Sequence, residues 1–246
     1  MRSILLRVAY EGTNFLGWQK TPLGPTVEET LERALFQILQ EQVVLQAASR
    51  TDEGVHAEGQ IVHFLISKNI LLTKLQHSLN AILPSSLVVL DAKETTNTFH
   101  PSLDSQGKEY QYFICNTPYQ KPQHRFFSWH VPSPLNLEAM NLATQKLLGT
   151  HDFSSFCNQE GLVDHKTLCT LYSIEIKELP ENRLAFQVIG NRFLFRMMRI
   201  LVGTLVYVGL GKFSQKEITS ILSSKKREKA GITAPARGLY LTKVFY

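Results

Sequence analysis

Twice along this chain the spacing of apolar residues switches from the two-residue period of a strand to the helical period and back, and that alternation limits the folds open to it. Ser3–Tyr10 alternates as a strand. Thr26–Leu39 places Val27, Leu31, Leu35, Ile38 and Leu39 at helical spacing. Thr26 is set to cap that helix, and Glu28 and Glu29 fall in its first turn, where the helix dipole favours acids. Val43–Ala48 and Gln60–Ile66 read as strands around a loop, Ser49–Gly59. Leu71–Leu83 is a second helix stopped by Pro84, and Leu87–Ala92 a further strand. The order is β-α-β-β-α-β, the split arrangement of ferredoxin-like folds. The second half nearly repeats it. Strands are expected at Glu109–Asn116 and Arg125–Val131, then a helix over Leu135–Leu148 closed by Gly149. A hairpin follows, Thr170–Leu179 with Arg183–Ile189 across Pro180-Glu181-Asn182. Phe193–Val208 reads as an apolar helix, Glu217–Leu222 as a short one running into the basic stretch Lys225–Lys229, and Leu239–Tyr246 as a last strand. The expectation is an α+β chain of two ferredoxin-like-derived subdomains, residues 1–104 and 105–246, with mainly antiparallel sheet around a central cleft able to hold a long ligand.

Composition narrows the class. The 246 residues are 43% hydrophobic and 19% charged, as in folded soluble proteins. No apolar run reaches the roughly 20 residues that cross a bilayer. The N-terminus lacks the apolar core and cleavage site of a signal peptide, so the chain reads as cytoplasmic, with no membrane partner. Three cysteines, Cys115, Cys157 and Cys169, are too few and too odd for a disulfide framework and fit a reducing compartment. His151, Cys157, His165 and Cys169 cluster, but their spacing matches no common zinc site, and no metal is expected. The net charge of +5 is uneven: residues 1–105 hold 8 Lys and Arg against 11 Asp and Glu, residues 106–246 hold 18 against 10. A polyanion docking mainly on the second half would account for this, as would a solvated basic surface.

The segment with most chemistry is Ser49-Arg50-Thr51-Asp52-Glu53-Gly54-Val55-His56-Ala57, a polar loop between apolar strands. It sets a carboxylate near an arginine with a hydroxyl between them. Taken alone, an aspartate in such a loop is usually a turn or cap residue.

Arg50-Thr51-Asp52 followed by Gly54-Val55-His56-Ala57 resembles the Arg-Thr-Asp-Ala-Gly-Val-His signature of the tRNA pseudouridine synthase A family. Tyr10-Glu11-Gly12-Thr13-Asn14-Phe15-Leu16-Gly17-Trp18-Gln19 is similar to that family's opening, and Thr26 to Leu35 to its first helix. Gly59 to Phe64, Leu79 to Pro84, Phe99-His100, Lys108-x-Tyr110-x-Tyr112, Asp152 to Phe156, Phe193 to Arg199, Val202 to Leu205 and Gly238-Leu239 continue the likeness in the family's order across essentially the whole chain. The resemblance implies the pseudouridine synthase fold and a cofactor-free, metal-free isomerase. Such an enzyme converts uridines 38 to 40 of the tRNA anticodon arm and works as a homodimer that holds tRNA on a joint basic surface.

It also implies roles. The target uridine must leave its stack before its glycosidic bond can be reached. Arg50 resembles the arginine that fills the vacated space, and Thr51 and His56 are expected beside the substrate with it. Asp52 is the expected nucleophile or initiator of bond cleavage. Burial would raise its pKa, so a cation is needed nearby; Arg199, on an apolar helix at the family's Met-x-Arg position, is the candidate. Tyr110 matches the tyrosine that stacks on the flipped uracil, and Leu239 the apolar residue on its other side. Tyr112 is expected to face away from Tyr110, into the core, and Phe15 and Trp18 to line core or cleft. The chain departs from the family at Ser49 and Glu53 in the loop and at Ser102, Gln111 and Ile200 elsewhere, two of them positions where the family carries arginine. The competing readings are a catalytically silent RNA-binding protein on the same scaffold, and a zinc-dependent hydrolase using the His/Cys cluster.

Overall fold

A computed structural model describes residues 1–158 and 166–246. In chain order the elements are β1 (Arg2–Tyr10), α1 (Val27–Leu39), β2 (Gln46–Ala47), β3 (His56–Ile66), α2 (Leu72–Ile82), β4 (Leu87–Glu94), β5 (Gly107–Cys115), β6 (Trp129–His130), α3 (Leu137–Thr144), β7 (Gly149–Asp152), β8 (Leu168–Leu179), β9 (Arg183–Gly190), α4 (Met197–Gly209), α5 (Glu217–Ser224) and β10 (Leu239–Phe245). They form two compact units. The first is Met1–Gln106 together with Tyr240–Tyr246, the second Gly107–Leu239. The sequence sets its boundary near the same point but keeps the final strand with the second half.

In the first unit β1 lies between β4 and β3, antiparallel to both, and β2 pairs with β3 antiparallel through Gln46–His63 and Ala47–Val62. This is the neighbour order of a ferredoxin-like β-α-β-β-α-β unit. The free edge of β3 is shared: at its other end His56 and Ala57 pair in parallel with Tyr240 and Leu241 of β10. α1 starts where Thr26 Oγ1 accepts the Glu29 N–H at 3.3 Å and stops at Gln40, whose φ of 52° is left-handed. Its stripe of Val27, Leu31, Ala34, Leu35 and Leu39 is buried, each large side chain contributing roughly 1.5–3 kcal/mol. α2 is tied to β4 through Asn80, whose amide donates to the Val89 carbonyl at 2.9 Å and accepts the Val89 N–H at 2.7 Å. That clamp sits at the register shift where Leu90 is the extra residue between Val89 and Asp91.

In the second unit the strands run β5-β9-β8-β7, all antiparallel, and β6 adds to β5 in parallel. β5, β9 and β8 thus repeat the order of β1, β3 and β2, so the duplication is one of topology. α4 is buried almost all round; only Arg199 and Tyr207 are half-exposed.

Several boundaries differ from the sequence expectation. β3 begins at His56 rather than Gln60, because Tyr10 and Tyr240 supply partners for residues a local pattern assigns to a loop. The strand expected over Arg125–Val131 shrinks to Trp129–His130, following a single 3-10 turn at Pro122–His124. α3 ends at Thr144, and Gly149, at φ 90°, opens β7 instead of closing a helix. α4 begins at Met197, after Arg196 takes a left-handed φ of 59°, so Phe193 to Arg196 are not helical.

Candidate active site

The loop from β2 to β3 carries Asp52, and the first unit pins it from both sides. Thr51 Oγ1 and the Tyr10 hydroxyl share a 2.7 Å hydrogen bond. Gln60 donates to that phenol oxygen at 3.4 Å and to the Ser49 carbonyl at 2.6 Å, and it accepts the Ser49 N–H at 3.2 Å. Tyr10 and Gln60 are buried, and burial pushes the Tyr10 phenol up to about 12. On the other side the Trp18 N–H donates to the Thr51 carbonyl at 3.0 Å, and the Gly54 N–H to the Phe15 carbonyl at 3.3 Å. The Val55 N–H closes a turn on the Asp52 carbonyl at 3.1 Å, with Gly54 at φ 75° in the position a type II turn reserves for glycine. Gly12 lies flat on this turn: a Cβ there would stand 2.1 Å from the Val55 carbonyl oxygen.

Asp52 is half-buried within this frame, between buried Thr51 and exposed Glu53, and Arg50 is exposed. Thr51 spends its hydroxyl on Tyr10. His56 is buried; its Nδ1 accepts the Gly12 N–H at 3.1 Å, which leaves the ring proton on Nε2 in the neutral form. Its ring stacks on Tyr240 at 4.6 Å. Tyr10 and Gln60 hold the loop in place, and the sequence reading did not single them out for this. Gln60 carried a signal, being a polar residue at the head of the mainly apolar strand Ile61 to Ile66, which only His63 interrupts. Tyr10→Phe should leave the Thr51 hydroxyl and the Gln60 amide short of a partner and cost about 1 kcal/mol. Thermal denaturation should show this as a drop of roughly 2–4 °C.

The other candidate residues lie in the second unit. Lys108, Tyr110, Tyr112 and Ile114 are buried while Glu109, Gln111 and Phe113 are half-buried. Side chains two apart on a strand share a face, so Tyr112 lies on the same face as Tyr110 and the expectation that the two diverge is wrong. Tyr112 is nevertheless in the core: it is fully buried, its hydroxyl donates to the Pro235 carbonyl at 2.7 Å, and burial raises its pKa. Tyr110 meets the Phe193 ring nearly edge-on at 4.9 Å. Arg199, in the first turn of α4, donates from Nε to the Ala234 carbonyl at 2.7 Å and accepts the Ala234 N–H on its own carbonyl at 3.0 Å. Leu239 is buried. Among the departures, Ser102 is exposed, Gln111 donates to Glu109 at 3.3 Å, and Ile200 is fully buried, where an apolar side chain has no polar group to satisfy.

The basic stretch Lys225–Lys229 divides. Lys225 pairs with Asp152 at 2.9 Å, and Arg227 donates to the Gly231 carbonyl and the Thr233 hydroxyl, so these two hold local structure; Lys226 and Lys229 are exposed. Of the His/Cys set, His165 lies outside the described residues. His151 bonds the Leu148 carbonyl, Cys157 and Cys169 are buried, and no group of three metal-ligating side chains gathers among the described residues. Nor is any described helix long and apolar enough to cross a membrane.

A family model described as tRNA pseudouridine synthase matches residues 7–102 and 143–246. A protein of Protochlamydia amoebophila (strain UWE25) named tRNA pseudouridine synthase A 2 is 49% identical over 248 residues, spanning 100% of this chain and 95% of that protein. The tRNA pseudouridine synthase A of Thermoanaerobacter sp. (strain X514) is 44% identical over 246 residues, 100% of both. Among solved structures, a Cbf5-Nop10-Gar1 complex aligns with a TM-score of 0.40 and 15% identity, over 97% of this chain and 48% of the other.

Proposed function

We infer the chemistry of this site from one premise: the chain belongs to the tRNA pseudouridine synthase family, and it is an isomerase that converts uridine to pseudouridine in tRNA. Asp52 is the group that opens the glycosidic bond. The observation that supports this is the frame around it. Thr51, Ser49 and Gly54 are each tied to the surrounding scaffold, so the carboxylate is carried on backbone that does not have to be ordered at the moment of reaction.

Either the Asp52 carboxylate attacks C1′ of the extruded uridine as N1 leaves and is later displaced from C1′ by C5, or the C1′–N1 bond breaks with Asp52 stabilising the sugar. The uracil turns, C5 bonds to C1′, the proton at C5 leaves, and N1 takes one up, so no atom is gained or lost overall. On the elimination route a C2′ proton leaves and returns. Tyr110 stacks on the base, since a phenol is a weak base at neutral pH and a good platform. Leu239 supplies the apolar wall, Arg199 a positive charge for the reacting centre, and exposed Arg50 the side chain that fills the vacated stack. Thr51 and His56 serve by holding the loop.

The substrate region is the anticodon arm, uridines 38 to 40. The enzyme works in the cytoplasm as a homodimer without cofactor. The test uses tRNA labelled with tritium at uridine C5. Wild-type protein should release label, and a pseudouridine map of the product should show it at 38 to 40. Absence of release defeats the assignment, and modification elsewhere defeats the choice of arm.

A further inference from the structure

Lys108 lies on the buried face of β5, 9% exposed, one strand repeat from Tyr110. Opposite it on β9 is Gly190. The Phe193 ring comes down over that glycine: a Cβ at Gly190 would stand 3.2 Å from the ring's Cζ, and the same ring meets Tyr110 at 4.9 Å. Lys108, Phe193 and Tyr110 therefore share one patch of one sheet face. The charge that bears on Lys108 has the same sign as its own. Arg192, the residue before Phe193, repels it, and with burial as the larger cause the lysine is pushed down to about 8. Among the described residues neither Lys108 nor Arg192 has an ion-pair or side-chain hydrogen-bond partner.

A buried ammonium with a guanidinium beside it and no acid is costly in a folded chain. An arriving anion removes that cost, and a lysine and arginine together match a phosphate well, one as a point charge and the other as a fork of donors. We propose that Lys108 and Arg192 form a phosphate site that grips the substrate RNA backbone next to the nucleotide stacked on Tyr110. The assignment rests on the isomerase reading above and adds to it a contact that fixes where the flipped nucleotide stops. The same chemistry would fit free inorganic phosphate, and the experiment separates the two.

Lys108→Met keeps most of the side-chain volume and removes the charge. It should melt at or above the wild-type temperature, because an unpaired buried cation is gone. It should bind tRNA about tenfold more weakly at low salt, and the slope of log Kd against log salt should become shallower by about 0.7–0.9, the value of one lost phosphate contact. Arg192→Gln, at a half-buried position, should give the same change of slope and stands in if the first variant folds poorly. Unchanged affinity and slope in both variants overturns the proposal. So does a lower melting temperature for Lys108→Met with full affinity in Arg192→Gln, which would make the lysine structural. Inorganic phosphate is titrated in parallel: if it raises the wild-type melting temperature but not that of the variants, while tRNA affinity stays the same in all three, the site holds free phosphate and the RNA assignment falls. Tritium release by the wild type is read alongside. If there is none while the slope still shifts, the isomerase reading is lost and the phosphate site stands.

Discussion

Asp52→Ala should fold, bind tRNA and release tritium from C5-labelled uridine at no more than about 10⁻⁴ of the wild-type rate, the scale on which loss of a nucleophile acts. The loop is held by Tyr10, Thr51, Gln60 and the backbone of Phe15 and Trp18, all of which remain in the variant. The effect should therefore fall on chemistry and leave tRNA affinity within a few-fold. Asp52→Asn sharpens the test, since it keeps the shape and removes the charge. Both variants should be inactive in single-turnover reactions at saturating enzyme. Turnover within tenfold of wild type in either would assign the bond-breaking step to another group.

Gly12→Ala is the second large effect, and it acts without touching any reacting group. The added carbon would meet the Val55 carbonyl oxygen at 2.1 Å and the Val55 carbonyl carbon at 2.5 Å, both backbone atoms with no rotamer to escape into. Either the 3-10 turn at Gly12–Asn14 or the turn after Asp52 has to move. Overpacking of this kind costs about 1–3 kcal/mol, and a displacement near 1 Å at a reacting group costs on the order of 10²-fold in rate. The expected result is a protein that melts several degrees lower and loses about a hundredfold in pseudouridine formation, with most of its tRNA affinity kept. A melting curve and activity equal to wild type would show that the loop absorbs the strain, and that its rigidity is not what positions Asp52.

What could be read from the sequence follows the range of the interactions involved. α1 was legible to the residue because its signals are local: a capping threonine, acids in the first turn and a stripe at helical spacing. The β8–β9 hairpin was legible for the same reason; Glu181 and Asn182 turn it with φ of 65° and 50°. The start of β3 was not, because the partners of His56 and Ala57 come from the far end of the chain. The start of α4 was missed because a left-handed Arg196 leaves no mark in an apolar run. In the candidate site, Asp52 stood out only through likeness to a family; as an isolated loop aspartate it carried little. The support under it, Tyr10 with Gln60, depends on which strands lie side by side, which periodicity does not state. Lys108 was visible as a letter in a motif, but that it has no acidic partner among the described residues is a fact of three dimensions.

The parallel pairing of Tyr240 and Leu241 with the head of β3 has a consequence for how this protein comes into being. Translation in chain order finishes β1, α1, the Asp52 turn and β3 long before it reaches the strand that covers His56. Until then one end of β3 presents unpaired N–H and C=O groups, the kind of open edge that invites pairing with the wrong chain. Closing it joins residues nearly two hundred positions apart, a slow step for a polypeptide. The turn that carries Asp52 is therefore made early in translation but waits for a strand made much later before the head of β3 beside it is closed.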